Sequence, residues 1–254
     1  MKSEAIPATT SSTIEIEEKF VVPHDIEKRL MQWGFERQQC VEMTDWYFDT
    51  SSLQLLQKNM WLRCRQPEIH GDADDISQWQ IKIGQQSKRN SRNDLGTPLM
   101  TVYVELEGIS ALEKAASCLS PPDIAAHGEG CFIDDNSEMF RNHTIPKIPN
   151  NMLSSQLLPF ARIYTRRTSW TFLDVAVDLD ETDFGHAVGE VEMVVEDETR
   201  VEAARTQVRE WVAKLQDPAA DTVEQAVAKG KLEYYLYHFR PNVYELCLQS
   251  GVLG

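Results

Sequence analysis

The most regular alternation of apolar and polar residues lies between positions 175 and 195, where two predicted strands are joined by a turn at residues 182–185. Successive side chains of a strand point to opposite sides, so one face of this hairpin is apolar. The opposite face carries Asp178, Asp180, Glu190 and Glu192. The pattern therefore predicts a β-hairpin with one face made of carboxylates.

Carboxylates on the same face of one strand lie roughly 6–7 Å apart. At that spacing they raise the pKa of one another unless a cation lies among them. Ligands that offer only oxygen atoms suit a hard divalent ion such as Mg²⁺ or Mn²⁺. The alternative is a strand face in water, and the hairpin alone does not decide between the two interpretations.

The same period of two recurs along most of the chain. It predicts further strands at residues 13–22, 35–49, 60–66, 76–83, 101–107, 160–168 and 169–178. Their polar faces carry Glu15, Glu17, Lys19, Trp61, Arg63, Arg65, Lys82, Tyr103 and Glu105. In the segment 160–168, alternation leaves open whether Arg166 or Arg167 belongs to this charged set.

Helical periodicity predicts α-helices between the strands and at the C-terminal end. One helix begins after Pro23 and ends at Gly34, and a strongly amphipathic helix covers residues 201–215. Further helices are predicted at 147–158, from about 222 to 230, and within 231–250, where Pro241 interrupts the pattern. The polar stretches 84–98 and 120–150 are interpreted as loops or a surface insertion.

These elements together predict an α+β fold. If the helices cover the apolar strand faces, the charged faces turn the other way, and in a closed sheet they line a tunnel. Carboxylates and cations aligned in such a tunnel favour a divalent metal at the acidic wall and an oligophosphate along the basic wall. The alternative is an open sheet whose charged face lies in water.

Composition narrows the range of partners. The net charge of −15 and the pI near 4.8 argue against general attraction to nucleic acid or to an anionic membrane. Five cysteines without a C-x-x-C pair indicate neither a disulfide framework nor a zinc site. We expect a soluble cytoplasmic monomer with a disordered start at residues 1–12, because no signal peptide or apolar span is present.

The motif Glu15-x-Glu17-x-Lys19 resembles the signature of the CYTH domain, which is found in triphosphate tunnel metalloenzymes. The remaining site positions of that family correspond in order to Arg63, Arg65, Lys82, Glu105, Arg167, Asp178, Glu190, Glu192 and Lys231. The three-residue motif alone is weak, but the ordered set is specific. Within the family, segments 61–65, 177–192 and 231–244 are similar to those of the animal thiamine triphosphatases. The stretches 84–98 and 120–150 are longer than in that pattern.

The resemblance implies one tunnel domain over residues 13–254, a closed eight-stranded antiparallel β-barrel with helices packed outside. It also implies Mg²⁺-dependent hydrolysis of the terminal phosphate of thiamine triphosphate. Implied metal ligands are Glu15, Glu17, Asp178, Glu190 and Glu192. Implied substrate-binding residues are Lys19, Arg63, Arg65, Lys82, Arg167 and Lys231, with Glu105 orienting a basic residue.

By the same resemblance, Lys19, Arg65, Lys82 and Glu192 are the expected catalytic residues. Trp61 and Tyr103 stand on charged strand faces, so we expect them to contact the flat, cationic part of thiamine. Alternatives that stay open are an inorganic triphosphatase, an adenylyl cyclase, and a module that binds a phosphorylated ligand without turnover.

Overall fold

The computed structural model describes residues 13–68, 78–85, 101–120, 144–149, 156–216 and 228–253. The strands are β1 (Thr13–Phe20), β2 (Glu36–Asp49), β3 (Met60–Pro67), β4 (Gln78–Gly84), β5 (Thr101–Glu107), β6 (Leu158–Phe172), β7 (Val175–Thr182) and β8 (Ala187–Val195). The α-helices are α1 (Ile26–Gln32), α2 (Gly108–Cys118), α3 (Val201–Leu215), α4 (Lys231–Phe239) and α5 (Pro241–Gln249). The predicted disordered start and most of both long polar stretches lie outside the described residues. Half of the predicted helix at 147–158 and most of the predicted helix at 222–230 also lie outside them. The described residues of both ranges are not helical, and Leu158 begins β6.

The eight strands form a closed antiparallel barrel in the order β1-β5-β4-β3-β2-β6-β7-β8, and β8 pairs back with β1. The predicted closed barrel is therefore confirmed. Closure pairs both edges of every strand, and it separates an inner face from an outer face. The polar positions of the alternating pattern point inward, which places the predicted charged residues in one lumen.

The outer faces of the strands are covered by helices, as their apolar alternation requires. Helices α1 and α3 pack on β1, β7 and β8 through a core that includes Ile16, Val191 and Val208. Helix α2 packs on β4 and β5, and it contributes to a second core that includes Leu62 and Ala111. Each fully buried aliphatic side chain stabilises the fold by about 1.5–3 kcal/mol, so the helices hold the barrel wall in place.

Helix α4 lies at one end of the barrel. Its Tyr235 and Leu236 are fully buried against Tyr47 and Ile163, which belong to β2 and β6. The turn between β7 and β8 supports the start of this helix, because His186 Nε2 lies 2.8 Å from the Lys229 carbonyl oxygen. Contacts at this end therefore fix the first residue of α4, Lys231, relative to the lumen.

Strand β6 differs from the sequence prediction. The alternation predicts separate strands at 160–168 and 169–178, but β6 runs unbroken from Leu158 to Phe172. The chain reverses at Leu173, which has a φ of 52° and is 87% exposed. A bulky residue rarely adopts this left-handed conformation, which glycine and asparagine favour. Because a leucine stands here, the sequence gives no signal for the turn. The correction settles the arginine register: Arg167 faces the lumen, and exposed Arg166 pairs with Glu181.

Asp49 ends β2 with a buried carboxylate. Its oxygens accept hydrogen bonds from the backbone N–H groups of Thr50, Leu55 and Leu56 at 2.7, 3.0 and 2.8 Å. Burial outweighs these hydrogen bonds and raises the pKa of Asp49 to about 6 from its usual 3.8. The folded state therefore binds a proton more tightly than the unfolded state at this position.

We expect this shift to make the free energy of unfolding pH-dependent. Above about pH 6 the buried charge destabilises the fold, and this penalty disappears as the pH falls from 6 towards 3.8. The side chain of Asp49→Asn is neutral at every pH. As the pH falls from 7 to 4, the free energy of unfolding of the wild type should rise by up to about 3 kcal/mol relative to this variant. Urea unfolding of both proteins at several pH values measures this difference. If the two free energies of unfolding differ by the same amount at every pH, the pKa of Asp49 is not raised.

Candidate active site

The lumen is divided into an acidic wall and a mainly basic wall. Neighbouring strands β7, β8 and β1 supply carboxylates, and strands β4, β3 and β6 supply cations. The carboxylates are Glu15, Glu17, Asp178, Asp180, Glu190 and Glu192, and the cations are Arg63, Arg65, Lys82 and Arg167, with Lys19 from β1 and Lys231 from α4. The structure thus brings together all the predicted charged site residues. Their roles stay predictions at this point.

Two lysines hold the carboxylates of β1. Lys82 Nζ lies 2.6 Å from Glu15 Oε2 and 2.9 Å from Glu17 Oε2. Lys19 forms an ion pair with Glu17 and lies 3.5 Å from Glu190. Burial alone would raise the pKa of Glu17, but the charges of Lys19 and Lys82 outweigh it and lower this pKa to about 2. Glu17 is therefore ionised at any working pH.

Arg167 forms ion pairs with three carboxylates of β7 and β8. Its Nε and Nη2 atoms donate to both oxygens of Asp180 at 2.7 Å, Nη2 lies 3.5 Å from Glu190, and the guanidinium also pairs with Asp178. Lys231 forms a second ion pair with Asp180. Burial would raise the pKa of Glu190, but Lys231, Lys19 and Arg167 hold it well below its usual range.

The arginines of β3 have their own partners. Arg63 Nη2 lies 3.4 Å from Glu105 Oε1, and its Nε donates to Gln80 at 2.9 Å. Arg65 donates from Nε and Nη2 to the two oxygens of Asp45 at 2.7 and 2.8 Å. Glu105 thus lies beside Arg63, and its role in orienting a basic residue stays a prediction.

Sequence reasoning did not include Asp45 or Asp180 among the site residues. Asp180 stands on the predicted carboxylate face, so the hairpin pattern already pointed to it. Asp45 alternates with Trp46 and Phe48, whose apolar side chains face outward into the core under α2. That alternation was a usable signal for an inward Asp45, although nothing in the sequence says that Arg65 is its partner.

Glu192 lies among other carboxylates. Burial, together with the nearby charges of Asp178 and Glu15, raises the pKa of Glu192 to about 9. A cavity of about 520 Å³, bounded also by Asp174 and Ala176, reaches Glu192 from the end of the barrel opposite α4. At this end carboxyl groups outnumber the local cations, so Glu192 keeps its proton unless a further cation binds beside it.

The donor set fits a hard divalent ion, since Glu15, Asp178 and Glu192 offer only oxygen. Among the described residues, no three histidine, cysteine or carboxylate side chains already surround a single point. Lys82 holds Glu15, and Arg167 and Ser169 hold Asp178. A metal would therefore have to compete with the protein's own cations for these oxygens.

Trp61 and Tyr103, the two aromatic residues predicted to contact thiamine, have different surroundings. Trp61 is partly buried, donates from Nε1 to Asn59 Oδ1 at 3.1 Å, and packs against the apolar cluster of Tyr47 and Tyr235. Tyr103 lies under Lys82, whose Nζ is 5.3 Å from the ring centroid. The cation on Tyr103 is thus one of the protein's own, and Trp61 lies towards the end that α4 covers.

Comparison with known proteins agrees with this geometry. The chain is 28% identical to the thiamine-triphosphatases of Macaca fascicularis and Homo sapiens, over 93% of this chain and 90% of each relative. The solved structure of the PH1819 protein from Pyrococcus horikoshii matches with a TM-score of 0.51 at 15% identity, over 88% of this chain and 98% of that one, which supports the fold alone. None of the described helices has the length and apolar content needed to cross a membrane.

The strongest finding is the match of the CYTH domain family model to residues 13–227. This range covers most of the chain and all the lumen residues except Lys231, which follows it on α4. A closed eight-stranded barrel with charged walls and a family match of this extent lead to one conclusion: the chain belongs to the CYTH domain family.

Proposed function

We propose that this protein hydrolyses the terminal phosphoanhydride bond of a triphosphate with the help of Mg²⁺, and that thiamine triphosphate is its substrate. The observation that carries the proposal is the row of mostly half-buried cations opposite buried carboxylates inside a closed barrel. A triphosphate is a chain of anions that needs several fixed cations along its length. The names of the curated relatives support the choice of thiamine triphosphate.

The cations of the lumen would bind the phosphate oxygens by exchanging partners. Lys82 now lies within 3 Å of Glu15 and Glu17, and a bound phosphate oxygen would replace one of them. Each carboxylate that loses its lysine then becomes available to a divalent ion. Anion and metal are therefore expected to enter together, because either one alone would leave buried charge uncompensated.

Glu15, Asp178 and Glu192 would hold the metal, and Glu17 and Glu190 would keep their lysine partners in place. Bound there, Mg²⁺ would cancel phosphate charge and polarise a water molecule for in-line attack on phosphorus. Arg65, Arg167 and Lys19 would fix the phosphate chain and stabilise the charge that develops on its oxygens.

Phosphate release from a panel of triphosphates tests this function. The panel contains thiamine triphosphate, inorganic triphosphate and ATP, each assayed with Mg²⁺ and with EDTA. The proposal expects phosphate release that depends on Mg²⁺ and is fastest with thiamine triphosphate. Fastest release from inorganic triphosphate would favour an inorganic triphosphatase, and tight binding without release would favour a module that only binds its ligand.

Trp61→Ala should weaken kcat/KM for thiamine triphosphate far more than for inorganic triphosphate. The reason is that a cation held against a tryptophan ring gains about 0.5–2 kcal/mol, and inorganic triphosphate has no organic cation. Trp33→Ala is the matched control, because Trp33 is 47% exposed and lies outside the barrel against Trp211.

The position of Trp61 beside the apolar cluster allows a different result. If Trp61 only fills space between the barrel and α4, its removal should lower kcat/KM equally for both substrates and should lower the melting temperature. Equal losses would therefore remove the argument that the indole ring selects thiamine.

A further inference from the structure

Asp45 is a carboxylate on the basic wall of the lumen. Strand β2 carries it between β3 and β6, away from the carboxylates of β1, β7 and β8. Its side chain is fully buried and is directly paired across the strands with Arg65. Burial would raise the pKa of Asp45, but the charges of Arg65 and Arg63 outweigh it and keep this carboxyl ionised. A fixed negative charge therefore stands among residues that would bind an anion.

Charge alone does not explain this arrangement, because a carboxylate here repels phosphate and weakens the attraction of its neighbours. The contacts of Asp45 show that it holds the guanidinium group of Arg65 in one orientation. Asp45 receives Nε and Nη2 of Arg65 at 2.7 and 2.8 Å, and its Oδ2 lies 3.6 Å from Nη1 of Arg63. Two parallel hydrogen bonds fix the plane of a guanidinium group, which a single bond cannot do.

The two hydrogen bonds to Asp45 also determine which N–H groups of Arg65 are left for other partners. A guanidinium has five N–H donors, so the two given to Asp45 leave three that Asp45 does not take. The fork lies against the barrel wall, because the Asp45 side chain is 0% exposed whereas that of Arg65 is 17% exposed. Arg167 is held in the same way by Asp180 on the other side of the lumen. A bidentate carboxylate thus sets the plane of each arginine.

We propose that Asp45 is a positioning residue that fixes the Arg65 guanidinium so that its remaining donors meet the phosphate chain. The inference rests on the proposed function, since it assigns a role in that same site. Asp45 itself does not touch the substrate. Because both hydrogen bonds of under 3 Å to Asp45 come from Arg65, the effect of Asp45 on turnover should pass mainly through Arg65, and a double-mutant cycle isolates such coupling.

The test compares the wild type with Asp45→Asn, Arg65→Ala and the double variant, measuring kcat and KM for thiamine triphosphate with Mg²⁺. We expect Asp45→Asn to lower kcat/KM by roughly 10-fold to 100-fold, and Arg65→Ala to lower it further. The double variant should be no slower than Arg65→Ala. Asp25→Asn is the control, because it breaks an aspartate–arginine pair with Arg29 outside the barrel at 2.8 Å.

A structural role of Asp45 would give the same fold-loss with and without Arg65, and that result would overturn the inference. Wild-type kcat/KM in Asp45→Asn would do so as well. If Asp45→Asn does not fold, Arg65→Lys is tested in its place. Lysine keeps the positive charge but cannot donate two parallel hydrogen bonds to the Asp45 carboxylate. A loss of at least 10-fold in Arg65→Lys is then expected, and unchanged activity would reject the role of orientation.

Failure of the proposed function would look different. In that case the wild type itself would release no phosphate. Binding of inorganic triphosphate to the same four proteins, measured by titration calorimetry, would then complete the cycle. Coupling between Asp45 and Arg65 in the binding constants would keep the positioning role, and independent effects would refute it.

Discussion

Glu192→Gln is expected to abolish Mg²⁺-dependent phosphate release while leaving the fold intact. The substitution removes one negative ligand from the cluster of Glu15, Asp178 and Glu192 and changes the volume of the side chain very little. Because the pKa of Glu192 is raised to about 9, the neutral amide resembles the protonated carboxyl of the metal-free fold. The melting temperature in EDTA should therefore stay close to that of the wild type.

Glu181→Gln is the matched control for this variant. Glu181 stands on β7 with a side chain that is 69% exposed and lies 3.6 Å from Arg166, so its loss should not affect turnover. Phosphate release is measured for both variants over a range of Mg²⁺ concentrations. Wild-type turnover of Glu192→Gln at an unchanged Mg²⁺ requirement would show that the acidic cluster is not the metal site.

Lys82→Ala and Arg65→Ala are each expected to lose roughly 2–4 kcal/mol of transition-state stabilisation, which is the cost of removing one well-placed donor from a water-poor site. Such a loss corresponds to a fall in kcat/KM of about 30-fold to 1000-fold. The side chains are only 18% and 17% exposed, so bulk water screens them little. A surface cation would contribute far less.

Arg166→Ala controls for the loss of a positive charge near the barrel, because the Arg166 side chain is 54% exposed on the outer face of β6. Steady-state kinetics with thiamine triphosphate give kcat/KM for all three variants. If Lys82→Ala and Arg65→Ala both match the wild type, the lumen is not where the triphosphate reacts.

Local periodicity predicts most of the site. A period of two assigns each strand residue to a face from its neighbours alone, so the alternation is enough to place Glu15, Lys82 and Glu192 on charged strand faces. The resemblance to the CYTH domain supplies barrel closure and Lys231, which comes from a helix and has no strand pattern. These predictions depend on short-range geometry or on a family pattern.

Other features depend on which strands become neighbours. The pairing of Asp45 with Arg65 follows from the register between β2 and β3, which alternation does not define. Alternation alone does not choose between Arg166 and Arg167, because Leu173 provides no turn signal that marks the end of β6, and it is the resemblance that names Arg167. The environment of Trp61 also lies beyond the pattern, because α4, which packs there, is distant in sequence.

A crystal grown with Mn²⁺ and a slowly hydrolysed triphosphate analogue would show whether the metal and the phosphate chain bind inside the barrel. Mn²⁺ can be located by its anomalous scattering, and it accepts the same oxygen ligands as Mg²⁺. We expect an anomalous peak among Glu15, Asp178 and Glu192, with the phosphate chain along Lys82, Arg65 and Arg167. A metal and triphosphate bound outside the barrel, with the ion pairs of Lys82 and Arg167 unchanged in the lumen, would contradict it.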